Sequence, residues 1–243
     1  KEAFGQRRTY LRGHGLDAVM NYPFRNATLD YLRGADTADV ADRILQICEN
    51  YPAPALDCAM NFLSTHDTER AITAIAGEPC NGRDRYWQSK RCIPSGQMDS
   101  AIRRLLLGYA MIFTLPGVPC LYYGDEIAMQ GYRDPFNRAF FRWDAHEQRL
   151  RPVLAQLAQL RHTCEAFRTG QLRVLRAEDG ILHYQRVGKV ETAEIIVNRT
   201  EHIIVETLAS GKSTEVNPMG FTIVVEEAVS YTHLRAHETT LHL

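Results

Sequence analysis

The sequence predicts an α/β fold with a parallel sheet, followed by a small antiparallel β module. Apolar runs of strand length alternate with amphipathic helical segments over the first 166 residues. Such alternation is typical of a parallel sheet with helical crossovers. From about Gly170 onward, short β-branched runs lie between turn residues. This second pattern is typical of antiparallel strands.

Three strands and three helices alternate in the first part. The predicted strands are residues 16–22, 60–64 and 119–123. The predicted helices are residues 37–51, 99–113 and 147–164. The strands are short apolar runs that end at polar or turn residues, and the helices carry apolar side chains at helical spacing. Thr37 is the predicted N-cap of the first helix, and the polar residues 79–97 are predicted to form a loop.

The second part, residues 167–228, holds five short runs that predict β-strands. Each run is rich in β-branched or aromatic residues. The runs begin at Leu172, Ile181, Glu194, Ile203 and Phe221. The boundary near Phe167 divides the chain into domains over residues 1–166 and 167–228.

The last segment, residues 229–243, fits neither pattern. It carries His233, His237 and His242, for which a metal site is one interpretation. Most of the segment resembles the translated sequencing-adapter tail found on many metagenomic reading frames, and we favour this interpretation. We therefore expect it to be a non-native tail with no part in the fold or the function.

Composition and charge exclude some classes of partner. The 243 residues are 45% hydrophobic and 23% charged, with a formal net charge of -1. These are ordinary values for a globular protein, and the charge argues against a nucleic-acid partner. No apolar run approaches the length of a membrane span, so no membrane partner is expected. The chain begins at Lys1 rather than Met, and we expect it to be part of a longer protein.

The six cysteines give no sign of a metal or redox site. None forms a Cys-x-x-Cys pair, so neither a metal nor a cofactor is predicted. Free thiols in a reducing compartment are the favoured interpretation, which predicts a cytoplasmic protein. A Cys80–Cys92 disulfide in a secreted parent protein is the alternative.

Residues 61–70 contain the clearest functional signal. The apolar strand here ends abruptly in a run of polar residues that includes His66 and Asp67. Catalytic groups of barrels with alternating strands and helices lie at the C-terminal ends of the strands, so these two residues are candidate site residues. Asp67 or Thr68 could instead cap a following helix, and spacing alone leaves both interpretations open.

Three motifs, in this order, resemble the C-terminal half of the α-amylase family of glycoside hydrolases. They are residues 61–70, residues 116–126 and residues 134–138. Residues 16–25 further resemble the neopullulanase, cyclomaltodextrinase and maltogenic amylase branch of that family. The resemblance implies a partial (β/α)8 TIM barrel, with strands six to eight, followed by a small antiparallel β-sandwich domain.

The resemblance also implies roles for four residues. Retaining glycosidases use one carboxylate as nucleophile and a second carboxyl group as acid/base. Asp67 matches a third family carboxylate, which stabilises the transition state. His66 matches an imidazole that hydrogen-bonds the same sugar. Asp134 and Arg138 match a pair that contacts the neighbouring sugar, and we expect them also to form a salt bridge that braces their loop.

Asp125 and Glu126 form a second pair of carboxylates, but we reject them as the acid/base pair. Adjacent residues at a strand end point to opposite sides, so the two groups cannot flank one glycosidic bond. We expect them to bind backbone amides or arginines and to hold the loop after the third strand.

The implied function is that of a retaining α-glucan hydrolase that cleaves α-1,4 bonds in cyclodextrins, pullulan or maltodextrins. No segment matches the nucleophile or acid/base motif, so we expect the chain alone to be inactive. An α-1,6-glucosidase or transglycosylase of the same family is one alternative, and a non-catalytic glycan-binding protein is another. The expected partner is an α-glucan oligosaccharide. Bound calcium and a homodimer stay open for the parent protein.

Overall fold

The computed structural model describes residues 10–11, 14–227 and 239–242. The first part contains α1 (Tyr22–Arg33), α2 (Thr37–Asn50), α3 (Ala53–Asp57), β1 (Met60–Asn61), α4 (Ala71–Ala76), α5 (Arg85–Ser89), α6 (Met98–Thr114), β2 (Val118–Pro119), α7 (Leu150–Thr163) and α8 (Ala166–Thr169). The second part contains β3 (Gln171–Glu178), β4 (Ile181–Val187), β5 (Glu191–Asn198), β6 (Ile204–Thr207), β7 (Ser213–Val216), β8 (Gly220–Glu227) and β9 (Thr239–His242).

Three strand segments of the first part lie side by side in parallel. Met20 forms a parallel bridge with Met60, and β1 pairs in parallel with β2, with Met60 opposite Val118. Helices connect each segment to the next. The predicted parallel order is therefore confirmed, and the three segments form an open part of a barrel rather than a closed one.

The first predicted strand is wrong over most of its length. Within residues 16–22, only Met20 forms a β-bridge, and Tyr22 begins α1, a helix that the sequence pattern did not predict. Pro23 lies in the first turn of this helix, where its missing N–H costs no hydrogen bond. Asn21 is the N-cap, because its side chain accepts a hydrogen bond from the Phe24 amide at 3.3 Å.

The other two predicted strands are shorter than expected because tertiary contacts take their backbone groups. The Leu63 carbonyl accepts a hydrogen bond from Arg25 Nε at 2.7 Å, so it is not used in a strand ladder. The Tyr122 carbonyl accepts from the Asp125 amide in a turn, and the Tyr123 carbonyl accepts from a buried arginine. Two arginine side chains and one backbone turn thus take the carbonyl groups that would continue the ladders.

Three smaller predictions for the first part are also wrong. The N-cap of α2 is Asp36, which accepts from the Asp39 amide at 3.0 Å, whereas Thr37 Oγ1 accepts from the Gly180 amide at 3.0 Å. The predicted loop over 79–97 contains α5 and a 3₁₀ turn. Helix α7 begins at Leu150 instead of residue 147.

The structure distinguishes between the two interpretations of the cysteines. All six cysteines lie in the described part of the chain, and all are free thiols. The alternative of a Cys80–Cys92 disulfide is therefore wrong for this structure.

The antiparallel module matches its prediction and adds two strands to it. One sheet has the order β3-β4-β5-β8-β9, and β6 pairs with β7 in a second, two-stranded sheet. Strands β7 and β9 were not predicted. Strand β9 comes from the segment interpreted as a tail, whereas residues 228–238 and 243, with His233 and His237, lie outside the described residues. The tail and the domain boundaries stay predictions.

The larger sheet lies between the helices and the β6–β7 pair, and alternate residues of β5 show this. Ile195 and Val197 pack in the same core as the helices, whereas Ile196 packs with Leu208 and Val216 on the other face. This is the period of two that a strand buried on both faces requires.

Buried Arg186 fastens this sheet to the helices. From β4, its guanidinium donates to the Gly170 carbonyl at 2.8 and 3.0 Å and to the Thr114 carbonyl at 2.6 Å. Burial lowers the pKa of Arg186 to about 10, and its donors satisfy carbonyls at the ends of α6 and α8. Tyr31 on α1 makes a second contact between the helices and the sheet, because its hydroxyl donates to the Gly180 carbonyl at 2.7 Å.

We expect Arg186→Leu to lower the free energy of unfolding by roughly 2–5 kcal/mol, because it leaves two buried carbonyl groups without their donor. Urea denaturation followed by circular dichroism measures this change. Arg173→Leu, at an exposed position of β3, is the matched control and should change stability by less than about 0.5 kcal/mol. Equal effects of the two substitutions would contradict the role assigned to Arg186.

Candidate functional site

The candidate site lies where β1 ends and the chain enters a polar loop. Phe62, Leu63 and Ser64 are buried, whereas the side chains of His66 and Asp67 are 61% and 53% exposed. The loop therefore anchors itself with its first residues and presents the next ones to solvent.

The structure brings all four predicted site residues together. Arg138 Nη2 lies 3.7 Å from Asp67 Oδ1, and Arg138 Nε lies 3.1 Å from Asp134 Oδ1. His66 Nε2 lies 3.4 Å from Asp67 Oδ1. The expected salt bridge between Asp134 and Arg138 is therefore present, and Arg138 also reaches the loop after β1.

The alternative role of Asp67 or Thr68 as a helix cap is wrong. Helix α4 begins at Ala71, its N-cap position is Arg70, and no side chain caps it. Thr68 Oγ1 instead accepts from the Thr65 amide at 3.0 Å, which closes a turn within the loop. Neither the Asp67 nor the Thr68 side chain therefore caps α4.

Asn137 joins the two loops of the site, although its sequence position predicted no role for it. Its buried Nδ2 group contacts the carbonyl oxygens of His66 at 2.8 Å, Thr68 at 2.7 Å and Thr65 at 3.3 Å. Arg138 Nε also donates to the His66 carbonyl at 3.0 Å. The only signal in the sequence was its place inside the motif of residues 134–138.

Two buried asparagines connect the three parallel strand segments through hydrogen bonds. Asn21 Nδ2 donates to Asn61 Oδ1 at 2.9 Å, and Asn61 Nδ2 donates to the Pro116 carbonyl at 2.8 Å. Gly117 has a positive φ of 119°, and a Cβ there would lie 2.8 Å from the side-chain amide of Asn61. Glycine is required at this position because any side chain would displace the second asparagine.

A buried ion pair connects the site loop to the loop after β2. Arg70 Nη1 lies 3.7 Å from Asp125 Oδ1, and both side chains are buried. Asp125 Oδ2 accepts from Ser64 Oγ and from Tyr109 Oη, the latter at 2.6 Å. Glu126 accepts from the Gly124 amide at 2.6 Å. The expectation that these two carboxylates bind amides and arginine is confirmed.

Arg70 also contacts the aromatic end of β2. Its guanidinium carbon lies 4.4 Å from the ring centroid of Tyr122 and 4.6 Å from that of Tyr123, and Nη1 donates to the Tyr123 carbonyl. These contacts are cation–π interactions made by a buried guanidinium. Arg70 thereby ties the loop after β1 to the loop after β2.

The burial of Asp125 changes its protonation. Burial raises the pKa of Asp125 to about 6, although hydrogen bonds from Ser64 and Tyr109 and the charge of Arg70 oppose the shift. Burial and the neighbouring carboxylate raise the pKa of Tyr109 well above its usual value. Tyr109 therefore remains a hydrogen-bond donor to Asp125 across the ordinary pH range.

The described residues show neither a metal cluster nor a membrane span. No group of three or more His, Cys, Asp or Glu residues among them could hold a metal ion. No helix within the described ranges is long and apolar enough to cross a membrane. What the site offers chemically is two carboxylates, an imidazole and a guanidinium.

Comparisons with known proteins agree on one family. The family model described as "Alpha amylase, catalytic domain" matches residues 2–169. A cyclomaltodextrinase of Geobacillus thermopakistaniensis is 34% identical over 197 residues, which cover 79% of this chain and 30% of that protein. An amylopullulanase of Thermoanaerobacter thermohydrosulfuricus is 31% identical over 188 residues, which cover 72% of this chain and 12% of that protein.

A solved structure shares the fold over most of the chain. The ligand-free cyclic α-maltosyl-(1→6)-maltose hydrolase from Arthrobacter globiformis superposes with a TM-score of 0.76 and 27% identity. The match covers 90% of this chain and 46% of that one. This chain thus spans less than half the length of each of these three relatives.

We expect the contribution of Asp125 to the free energy of unfolding to fall as the pH rises from about 4 to 7. Below its ordinary pKa of 3.8, the carboxyl group is protonated in both the folded and the unfolded chain. Above its folded pKa of about 6, the folded chain must hold an ionised carboxylate in a buried place. That difference disfavours the folded state by roughly 3 kcal/mol.

Asp125→Asn isolates this effect, because it keeps the shape of the side chain and removes its titration. Urea denaturation across this pH range should show the unaltered chain losing stability relative to Asp125→Asn as the pH rises. Asp42→Asn, an exposed change on α2, should follow the unaltered chain at every pH. Parallel curves for the unaltered chain and Asp125→Asn would refute the assignment.

Proposed function

Because the chain belongs to the α-amylase family of glycoside hydrolases, we propose that it supplies the transition-state carboxylate and sugar contacts of a retaining α-glucan hydrolase. The family also confirms the predicted fold class, which is a partial (β/α)8 barrel followed by an antiparallel β domain. The observation that carries the proposal is the group formed by Asp67, His66, Arg138 and Asp134 in the loops that follow β1 and β2.

Asp67 is the proposed transition-state stabiliser. Cleavage of a glycosidic bond passes through an oxocarbenium-like state, in which positive charge grows on the sugar ring. A carboxylate already oriented toward that charge lowers the barrier, because it needs no reorganisation during the reaction. Arg138 and His66 both contact Asp67 Oδ1, and Asn137 fixes the backbone on either side. These contacts support a preorganised Asp67.

The other three residues are proposed to bind sugar hydroxyl groups. Imidazole, carboxylate and guanidinium groups together supply both donors and acceptors, which polyols require. Asp134 and Arg138 are about half exposed, so each has surface left for a ligand beyond their mutual salt bridge. We therefore propose that the pair contacts the sugar next to the one held by His66 and Asp67.

The proposed substrates are cyclodextrins, pullulan or maltodextrins, with cleavage of α-1,4 bonds. The names of the relatives, cyclomaltodextrinase and amylopullulanase, support this class. A second candidate is an enzyme that acts on α-1,6-linked glucans, because the solved relative is named as a hydrolase of a (1→6)-linked cyclic maltosyl-maltose. We further propose a cytoplasmic location, since a reducing compartment would keep the six cysteines free.

The decisive substitution is Asp67→Asn in a protein that carries this chain together with nucleophile and acid/base segments. We expect kcat to fall about 10³-fold or more, because the neutral amide loses the attraction to the developing charge. Release of reducing sugar from a cyclodextrin, pullulan or starch measures kcat. Asp42→Asn controls for a simple loss of one surface charge. A variant at position 67 with kcat near that of the unaltered enzyme would remove Asp67 from this role.

We also propose that the 243-residue chain alone is inactive, because its sequence has no motif that matches the nucleophile or acid/base segment. Its expected release of reducing sugar from the same substrates equals that of a heat-denatured sample. Activity above that background, and lost in Asp67→Asn, would show that the chain contains a complete catalytic set.

A further inference from the structure

A cluster of charged residues lies between the two sheets of the antiparallel module. Its members, which we call the charged cluster, are Arg176 of β3, His183 of β4, Glu194 of β5 and Glu206 of β6. The side chains of His183, Glu194 and Glu206 are buried. Glu206 belongs to the two-stranded sheet, whereas the other three residues belong to the larger sheet. The charged cluster therefore connects the two sheets.

Both ring nitrogens of His183 face carboxylates. Nε2 lies 2.7 Å from Glu194 Oε1, and Nδ1 lies 3.5 Å from Glu206 Oε2. A neutral imidazole donates from one nitrogen only, so its other nitrogen would direct a lone pair at a carboxylate. The imidazolium ion donates from both nitrogens and attracts both carboxylates. This geometry favours a protonated His183.

Glu194 is held as an acceptor by donors from both sheets. Gln185 Nε2 donates to its Oε2 at 3.0 Å, and the Ala209 amide, in the loop after β6, donates to its Oε1 at 3.1 Å. Although burial opposes the shift, hydrogen bonds from His183, Gln185 and the Ala209 amide lower the pKa of Glu194. An ionised Glu194 in turn favours a proton on the imidazole beside it.

The charges of the cluster balance when His183 is protonated. Glu206 Oε1 pairs with Arg176, whose partly exposed side chain also pairs with exposed Glu178 at 2.9 Å. Within the cluster, one guanidinium thus faces two buried carboxylates, those of Glu194 and Glu206. A neutral imidazole leaves one excess negative charge in a desolvated place, which is costly, and a proton on His183 cancels it.

The apolar contact between the two sheets is small. In the described part of the chain, its buried residues are Ile181, Ile196, Leu208, Val216 and Val224, with Ile204 partly buried beside them. Strands β7 and β8 thus contribute apolar side chains, Val216 and Val224, to this face. Because so few apolar groups are buried here, the charge on His183 has a large effect on whether the sheets stay together.

We propose that His183 is a pH-sensitive clasp, which holds β6 and β7 on the larger sheet when it is protonated and releases them when it loses its proton. The charge of an imidazole changes between about pH 5 and 8. Since the carboxylate contacts favour the charged ring in the closed arrangement, this stabilisation is present at low pH and is lost as the pH rises. The clasp lies in the antiparallel module and does not rest on the proposed function.

Hydrogen exchange, followed by mass spectrometry on the full chain, tests the clasp. The protection of the β6 and β7 amides, relative to unstructured peptides at the same pH, should fall about tenfold between about pH 5 and about pH 8. His183→Gln removes the titration and should abolish this fall. His162→Gln, an exposed change on α7, is the matched control and should show the same fall as the unaltered chain.

Glu206→Gln tests the clasp independently of His183→Gln, whose side chain is buried. It leaves one carboxylate opposite one guanidinium, so a neutral imidazole no longer creates an excess negative charge. The protection of β6 and β7 in this variant should therefore not fall as the pH rises, and circular dichroism checks that both variants are folded. A fall as large as that of the unaltered chain in either folded variant, or no fall in the unaltered chain, would overturn the proposal.

Discussion

The buried contact between Arg70 and Asp125 is the constraint on which the site geometry depends. It joins the loop after β1 to the loop after β2, and Ser64 and Tyr109 complete the set of partners around the carboxylate. A buried ion pair contributes little net stability when it is compared with apolar packing, but removal of one partner leaves a costly buried charge. Its main effect here is therefore to specify one arrangement of two loops.

A second layer of polar contacts transmits that arrangement to the surface. Asn137 fixes the backbone around His66, and Arg138 continues the contact to the side chain of Asp67. The exposed groups that are proposed to bind a sugar thus lie on backbone held by buried amides and charges. This division matches what preorganised catalysis requires, because exposed groups keep their positions only when buried ones hold them.

Much of this architecture was predictable from local sequence patterns, whereas contacts between distant residues were not. Helical spacing identified α2 and α6, and the motif around Asp67 identified the site loop. Helix α1 was missed because Pro23 was interpreted as the end of a strand instead of the first turn of a helix. The strand ends were misplaced because Arg25 and Arg70 take carbonyl groups that a local pattern assigns to the ladder. The role of Asn137 was not predictable from local patterns either, because its partners lie about 70 residues earlier.

The asparagine pair that connects the parallel strand segments has a consequence for how the chain folds. Asn21 and Asn61 are 40 residues apart, and Asn61 and Pro116 are 55 apart, so each contact closes a long loop. Such closures cost entropy and form after local helices, which favours a late assembly of the strand ends. Because Asn61 uses both ends of its amide, a strand that slipped by one residue would leave two buried amides unpaired. The pair thereby disfavours wrong registers while the chain assembles.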